Sequence, residues 1–282
     1  MSRIVYVNGD FVPQEEAKIS VFDRGFLFAD GVYEVSTVLE GKLIDNSAHL
    51  ARLRRSMAEL NLPSPASDEE IEEIQAELVT RNNITDGMVY LQVTRGAAER
   101  DFVFPADPKP SLVMFGQTMN IRDNPKAKKG IAVITVEDVR WKRRDIKTVS
   151  LLAQSMAKQA AVEAGADDAW MVEDDFITEG SSNNAFIITK DDKIITRNLG
   201  NHILKGITRQ VVLELARDKN LTIEERPFTV DEALDAKEAF VTSATTFVMP
   251  VVRIDDQPLG NGAPGILTTE LRALYIKRAM EA

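Results

Sequence analysis

The chain has 282 residues, of which 44% are hydrophobic and 28% charged, a composition that suits a globular protein with enough chain for two domains. The formal net charge of −10 argues against a nucleic-acid-binding protein held by phosphate contacts, and no stretch approaches the ~20 apolar residues of a membrane span. Because cysteine is absent and only His49 and His202 are present, disulfides are excluded and no metal site is expected. Residues 1–10 lack the apolar core of a signal peptide, so a cytoplasmic location is expected.

The first third of the chain predicts a mixture of strands and helices. Asn8-Gly9-Asp10 and Glu40-Gly41, each between apolar runs, indicate two hairpins. Ser47 is expected to cap one helix, and Ser67 with Glu70 forms the capping box of a second. The predicted strands are residues 4–7, 11–12, 33–39, 42–44, 88–94 and 112–117.

The polar segment at residues 120–125 breaks both periodicities and contains a proline, so it predicts a linker. It would separate a smaller N-terminal domain, residues 1–119, from a larger C-terminal domain, residues 126–282, which carries Lys147. A long helix is predicted at residues 149–164. Two further helices are predicted to begin near Thr208 and Thr229, and another helix is predicted at the C-terminal end. Strands are predicted at residues 131–137, 169–172, 185–189, 193–196, 221–225, 239–242 and 248–254, which makes the fold α+β.

Two polar segments carry residues suited to catalysis. Residues 140–148 place Lys147 among cations between a strand and a helix, where its pKa would be lowered and its neutral amine favoured. The second segment, residues 178–184, contains Glu179, which could hold a cationic ring nitrogen, and small hydroxyl residues after Gly180 let the backbone approach a bound group. Taken singly, the first segment is better explained as a solvated basic turn and the second as an ordinary polar loop.

Two other segments suit a phosphate group. Residues 204–209 lead into a helix whose first N–H groups and dipole attract anions. Thr208 adds a donor, merely caps the helix, or does both. Residues 241–246 form a hydroxyl cluster that closes a strand. This cluster is either a second wall for a phosphate or a set of threonines chosen for their β-propensity.

These four segments, in this order and spacing, resemble the fold-type IV enzymes that use pyridoxal phosphate (PLP). That family includes D-amino-acid transaminases, branched-chain aminotransferases and aminodeoxychorismate lyases. The similarity spans residues 5–278 and is greatest to the D-amino-acid transaminase branch. It is also carried by the runs at residues 23–25, 30–35, 49–53, 92–96 and 137–141.

The resemblance implies that Lys147 is the catalytic Schiff-base lysine and that Glu179 pairs with the pyridine nitrogen of PLP. Ala244 stands where the relatives carry a threonine, so one donor is missing or is supplied by Thr245. The implied cofactor-binding residues beside Glu179 are Arg52, Ser181, Ser182, Asn183, Leu204, Gly206, Ile207, Thr208, Ser243, Ala244 and Thr245.

The resemblance also implies a substrate site in a homodimer. Tyr33 and Val35 would line it, while Arg100 and Phe102 would reach in from the neighbouring subunit. Arg100 matches the carboxylate-binding arginine of the family, although a solvated loop arginine is the alternative. Phe102 departs from the family's histidine and leaves the side-chain preference of the donor open.

The expected activity is a ping-pong transamination from a D-amino acid, such as D-alanine, to a 2-oxo acid, such as 2-oxoglutarate. Branched-chain L-amino-acid transaminase, R-selective amine transaminase, aminodeoxychorismate lyase and PLP binding without turnover are the alternatives. His49 precedes Arg52 by three residues and shares its helical face. It would either orient that arginine or be a satisfied structural histidine.

Overall fold

The computed structural model describes residues 2–281, and these divide into two units. The first unit runs to Asn120 and also includes Ile146–Ser150, while the second comprises Ile121–Asp145 and the chain from Leu151 onward. The segment that carries Lys147 therefore packs with the first unit. This differs from the sequence-based expectation, which placed the lysine in the C-terminal domain.

The first unit is built on a six-stranded antiparallel sheet. Its strands are β1 (Ile4–Val7), β2 (Asp10–Pro13), β3 (Gly31–Leu39), β4 (Lys42–Ile44), β5 (Gly87–Thr94) and β6 (Ser111–Thr118). They lie in the order β2-β1-β6-β5-β3-β4. Along β5, Val89, Leu91 and Val93 alternate toward the core and are fully buried, as the two-residue period of a strand requires. Both predicted hairpins are present.

Three helices belong to this unit: α1 (Arg24–Phe28), α2 (Asn46–Glu59) and α3 (Asp68–Arg81). The predicted capping box is confirmed, because the Ser67 hydroxyl accepts from Glu70 N and the Glu70 carboxylate accepts from Ser67 N. The prediction that Ser47 caps α2 is wrong. That helix begins at Asn46 after Asp45, which makes no side-chain capping bond.

The second unit is built on a nine-stranded mixed sheet. Its strands are β7 (Ile131–Glu137), β8 (Asp168–Glu173), β9 (Phe176–Gly180), β10 (Asn184–Ile188), β11 (Ile194–Thr196), β12 (Ile223–Glu225), β13 (Glu238–Ser243), β14 (Phe247–Ile254) and β15 (Gln257–Pro258). They lie in the order β12-β11-β10-β13-β14-β7-β8-β9, with β15 paired to β14. β7 is parallel to both of its neighbours, and β10 is buried along its whole length.

The helices of this unit are α4 (Pro125–Lys129), α5 (Leu152–Glu163), α6 (Ile207–Asp218), α7 (Val230–Leu234) and α8 (Ile266–Glu281). α5 packs Ala157 and Ala161 against Ala169 and Met171 of β8, and the small side chains allow close approach of helix and sheet. The predicted cap at Thr229 is confirmed by its hydroxyl, which accepts from Glu232 N at 3.1 Å. Within residues 2–281, none of the helices is both long and apolar enough to cross a membrane.

The segment predicted as a linker is packed within the second unit from Ile121 onward. Ile121 is 1% exposed, and its carbonyl accepts a hydrogen bond of 3.0 Å from Arg272. Asn124 then caps α4, with Pro125 in its first turn. The proline therefore starts a helix, where its missing N–H costs nothing, and does not mark a flexible connection.

The sequence pattern did not indicate β9, so Glu179 was expected in a loop. Instead, β8 and β9 form a hairpin around Asp174 and Asp175, both of which have positive φ. Aspartate tolerates this left-handed backbone better than most residues, and two central residues with positive φ fit a tight hairpin turn. Glu179 is consequently fixed near the end of a buried strand.

Candidate active site

Lys147 lies along the edge of β3 in the first unit. Its carbonyl accepts from Tyr33 N at 3.0 Å, and Val149 N donates to Gly31 O at 3.1 Å. The Lys147 Nζ lies 4.1 Å from the centroid of the Tyr33 ring. Two backbone hydrogen bonds thus fix the segment, while the partly buried amine rests on an aromatic face.

The arginines that flank Lys147 in sequence are each paired with a carboxylate. Arg144 contacts Glu173 through two bonds of 2.8 and 2.9 Å, and Arg143 contacts Asp145 at 3.0 Å. Their charges are therefore largely neutralised locally.

The face of β3 that carries Tyr33 also carries Val35, as predicted for the substrate-binding pair. Tyr33 stacks on Tyr90 at 5.6 Å between ring centroids, and Val35 is the cross-strand partner of Tyr90. Burial and the neighbouring Tyr33 raise the pKa of Tyr90, whose hydroxyl donates to Gln92 at 2.8 Å. An aromatic wall with few charges therefore borders Lys147.

Arg52 is held by Glu34, a residue that the sequence did not single out. Arg52 Nε and Nη2 contact the two carboxylate oxygens of Glu34 at 2.7 and 2.8 Å, and His49 Nδ1 contacts the same carboxylate at 2.8 Å. Glu34 is 1% exposed. Although burial opposes its ionisation, Arg52 and His49 lower the pKa of Glu34 to about 2. His49 thus acts on Arg52 through a shared carboxylate.

In the second unit, Glu179 is buried with both carboxylate oxygens engaged. One oxygen accepts from Arg140 Nη1, and the other accepts from Asn184 Nδ2 at 3.0 Å and Leu204 N at 3.1 Å. Burial raises the pKa of Glu179, and the Arg140 guanidinium opposes that rise. Arg140 is itself bound to Asp138 at 2.7 Å. Arg140 and Leu204 lie 39 and 25 residues from Glu179 along the chain, too far for a local motif to show them.

The start of α6 has the donors of an anion site. Gly206 is the N-cap and makes no side-chain capping bond, so the first N–H groups of the helix lack a side-chain acceptor there. A Cβ at Gly206 would lie 2.1 Å from Asn184 Oδ1, which explains the glycine. Thr208 lies inside the helix and is buried, so the alternative that it merely caps α6 is wrong. Ile207 is the first helical residue.

The turn after β13 brings the predicted hydroxyl cluster together. Ser243 Oγ lies 2.7 Å from Thr246 Oγ1, with Ala244 and Thr245 between them. The buried hydroxyl of Thr242 has no hydrogen-bond partner within residues 2–281. A buried polar group of this kind is normally satisfied, so this end of β13 has unused hydrogen-bonding capacity.

The side chains of Ser181 and Asn183 are engaged within the second unit. The Ser181 hydroxyl donates to one oxygen of Asp168, and Asn183 Nδ2 donates to the other at 2.7 Å. Ser182 between them is exposed. Asn183 Oδ1 is buried and has no hydrogen-bond partner within residues 2–281, so this oxygen, the backbone and Ser182 are the groups left for the predicted cofactor contacts.

Arg100 lies in an exposed loop of the first unit beside two phenylalanines. Its guanidinium carbon is 5.4 Å from the Phe28 ring centroid and 5.6 Å from that of Phe102. The two rings are 5.5 Å apart, and Phe102 is 77% exposed. The rings flank the cation and leave its edge donors available for a planar anion.

Comparison with known proteins places the chain among aminotransferases. The family model described as Amino-transferase class IV matches residues 31–254. The D-alanine aminotransferase of Staphylococcus aureus strain MSSA476 is 40% identical over 274 residues, 97% of this chain and 96% of the relative. That of Bacillus licheniformis is 40% identical over 269 residues, 95% of this chain and 94% of the relative.

A solved structure has the same architecture. It is the branched-chain amino acid aminotransferase of T.th., complexed with N-(5'-phosphopyridoxyl)-L-glutamate. The TM-score is 0.92 and the identity 26%, and the match covers 100% of this chain and 95% of that chain. The predicted α+β architecture of fold-type IV is confirmed, and the chain belongs to the class IV aminotransferase family.

Proposed function

We propose that this protein is a PLP-dependent D-amino-acid transaminase. It would move the amino group of a donor such as D-alanine to a 2-oxo acid such as 2-oxoglutarate by a ping-pong mechanism. The observation that carries the proposal is 40% identity to a D-alanine aminotransferase over 97% of the chain. The branched-chain aminotransferase that shares the fold is only 26% identical to this chain.

The residues present fit PLP by the chemistry of their donors. Glu179 offers a buried carboxylate to a protonated ring nitrogen, and the uncapped start of α6 offers backbone N–H groups to a phosphate. The resemblance implies that Arg52, which Glu34 holds within the first unit, would also bind the phosphate. The unused hydroxyl of Thr242 marks further polar capacity beside Ser243.

When bound, PLP would supply a ring that accepts electrons as the bond from the substrate α-carbon to hydrogen breaks. The Nζ of Lys147 would hold the cofactor through its aldehyde carbon and would be a free amine once the substrate amine has replaced it. This amine would take the proton from the substrate α-carbon as a general base and deliver it, as a general acid, to the carbon that carried the aldehyde. Glu179 would hold the proton on the ring nitrogen, and Arg140 orients this carboxylate.

The remaining cofactor contacts are proposed from the resemblance alone. Leu204 would pack beneath the ring, and its N–H already orients Glu179. Ile207, Thr208, Ser243, Ala244 and Thr245 would enclose the phosphate, and Ser181, Ser182 and Asn183 would line the edge of the ring. A cytoplasmic location also stays a prediction.

The substrate site would be completed by a second copy of the chain. Tyr33 and Val35 line it from one subunit, and Arg100 and Phe102 reach in from the other. Exposed apolar side chains follow Phe102 at Val103 and Phe104 and occur near the start of α1 at Val21, Phe22 and Phe26, the last 75% exposed. A hydrogen bond from Ala98 N to Phe22 O joins the two segments. A cluster of exposed apolar side chains is typical of an interface.

Mixing two variants that are each nearly inactive at D-alanine concentrations far below KM tests the shared site. Lys147→Ala removes the catalytic amine, and Arg100→Ala removes the carboxylate receptor. If Arg100 serves the neighbouring subunit, each mixed dimer regains one complete site, and a 1:1 mixture recovers about a quarter of wild-type activity. If both residues serve the same subunit, the mixture stays inactive after subunit exchange.

Product assays test the reaction itself. The wild-type protein should form pyruvate from D-alanine and 2-oxoglutarate, and Lys147→Ala should abolish both this activity and the visible absorbance of bound PLP. Rapid release of pyruvate from aminodeoxychorismate would instead identify a lyase. Efficient amination of 2-oxoglutarate by L-leucine, without D-alanine turnover, would identify a branched-chain transaminase, the alternative suggested by the structural likeness.

A further inference from the structure

The turn between β13 and β14 is closed by a residue in an unfavourable backbone conformation. Phe247 has φ +58° and is fully buried, and it pairs with Ser243 across the turn. A positive φ is costly for a bulky aromatic residue and persists only where surrounding contacts enforce it. Something in the second unit must therefore hold this turn in place.

Arg272 of α8 provides that contact. Its Nη1 donates to Thr246 O at 2.6 Å and to Val248 O at 2.8 Å, the carbonyls on either side of Phe247. Its guanidinium carbon also lies 5.8 Å from the Phe247 ring centroid, and that ring packs on Tyr275 at 4.9 Å. One arginine thus fixes the peptide group before Phe247 and the peptide group after Val248.

The same guanidinium ties this turn to the start of the second unit. Nη2 donates to Ile121 O at 3.0 Å and to Arg122 O at 3.2 Å. Four neutral carbonyl oxygens therefore accept these hydrogen bonds from a buried side chain. Carbonyl dipoles do not cancel a full charge, and the carboxylate of Asp123 offsets only part of it from a distance, so Arg272 keeps a positive charge behind the turn.

We propose that Arg272 is a positioning residue for the cofactor phosphate. It would hold the turn at residues 243–246 in the conformation that contacts the phosphate. It would also place a buried positive charge on the side of this turn that faces away from the phosphate. Asn184 connects this turn with the other anion-binding element, because it pairs with Thr242 across the sheet and donates to Leu204 O at 2.9 Å. This inference rests on the proposed function.

The test compares a ligand that carries the phosphate with one that lacks it. The full chain is freed of cofactor, and the dissociation constants of PLP and pyridoxal are measured from the visible absorbance of the ligand bound to Lys147. Inorganic phosphate is measured by competition with PLP. Arg272→Met should weaken PLP and phosphate on the order of 10-fold or more, and leave pyridoxal within about 2-fold of wild type.

Arg278→Met is the matched control on the same helix. Arg278 is exposed and pairs with Glu214 at 2.8 Å, so its replacement should change neither constant. If Arg272→Met does not fold, Arg272→Lys decides by the same ratio, because lysine keeps the charge but not the forked donors. It should lose part of the preference for PLP over pyridoxal.

The outcomes distinguish failure of the proposed role of Arg272 from failure of the proposed phosphate site. Equal losses for PLP and pyridoxal, or no loss for either, would overturn the role of Arg272 while leaving the phosphate site intact. A wild-type protein with no preference for PLP over pyridoxal would instead overturn the proposed phosphate site. A larger loss for PLP alone supports the inference.

Discussion

Replacing Glu34 by glutamine removes the buried charge that holds Arg52. The carboxylate makes two bonds to Arg52 and one to His49, and its pKa falls from 4.5 to about 2 on folding. A shift of this size corresponds to about 3 kcal/mol of folding free energy at neutral pH. Glu34→Gln should therefore lower the free energy of unfolding by about 3 kcal/mol at pH 7.

The dependence on pH gives this prediction a distinctive signature. Because folding lowers the pKa of Glu34, its contribution is full well above pH 4.5 and is lost as the pH falls toward 2. The glutamine variant has no such group. The difference in unfolding free energy between the two proteins should thus shrink by about 1 kcal/mol between pH 7 and pH 4.

Urea unfolding of the cofactor-free full chain at several pH values measures this difference. Glu77→Gln is the matched control, because Glu77 forms a helical pair with Arg81 but is 45% exposed. That variant should change stability by less than about 0.5 kcal/mol. A Glu34→Gln variant as stable as wild type at pH 7, or a difference independent of pH, would refute the reasoning.

Three other substitutions test the proposed roles. Glu179→Gln removes the charge that keeps the ring nitrogen protonated and leaves Arg140 with Asp138, so kcat should fall on the order of 100-fold, and an unchanged kcat would exclude that role. Arg100→Ala should raise KM for D-alanine at least about 10-fold through the lost carboxylate pair, and an unchanged KM would make it a solvated arginine. Phe102→His restores a donor and should lower the same KM about 5-fold, whereas a higher KM would show that the apolar ring itself serves the substrate.

The sequence predicted correctly the helix starts whose capping hydrogen bonds form between residues close together in the chain. The capping box of Ser67 and Glu70 and the cap of Thr229 are confirmed because each satisfies backbone N–H groups within its own helix. The prediction that Ser47 caps α2 is wrong because this helix already begins at Asn46. The residue before it, Asp45, has a positive φ and makes no capping bond. A serine near a helix start is therefore a weaker signal than two reciprocal partners.

The residues missed by the sequence depend on distant partners. Glu34 lies on the buried face of β3 and is 18 residues from Arg52, and Arg140 is 39 residues from Glu179. Tertiary structure alone pairs them. One signal was available, because a carboxylate at a core-facing position of a strand requires a cationic or hydrogen-bonding partner. Glu34 alternates with Tyr33 and Val35 and could have been flagged on that ground.

The donor enantiomer tests the central claim most directly. The PLP-loaded protein is mixed, in separate experiments, with D-alanine and L-leucine and no 2-oxo acid, and the visible absorbance of the cofactor bound to Lys147 is followed. D-Alanine should bleach this band and release stoichiometric pyruvate, while L-leucine should leave it unchanged. Bleaching by L-leucine with no response to D-alanine would contradict the assignment as a D-amino-acid transaminase.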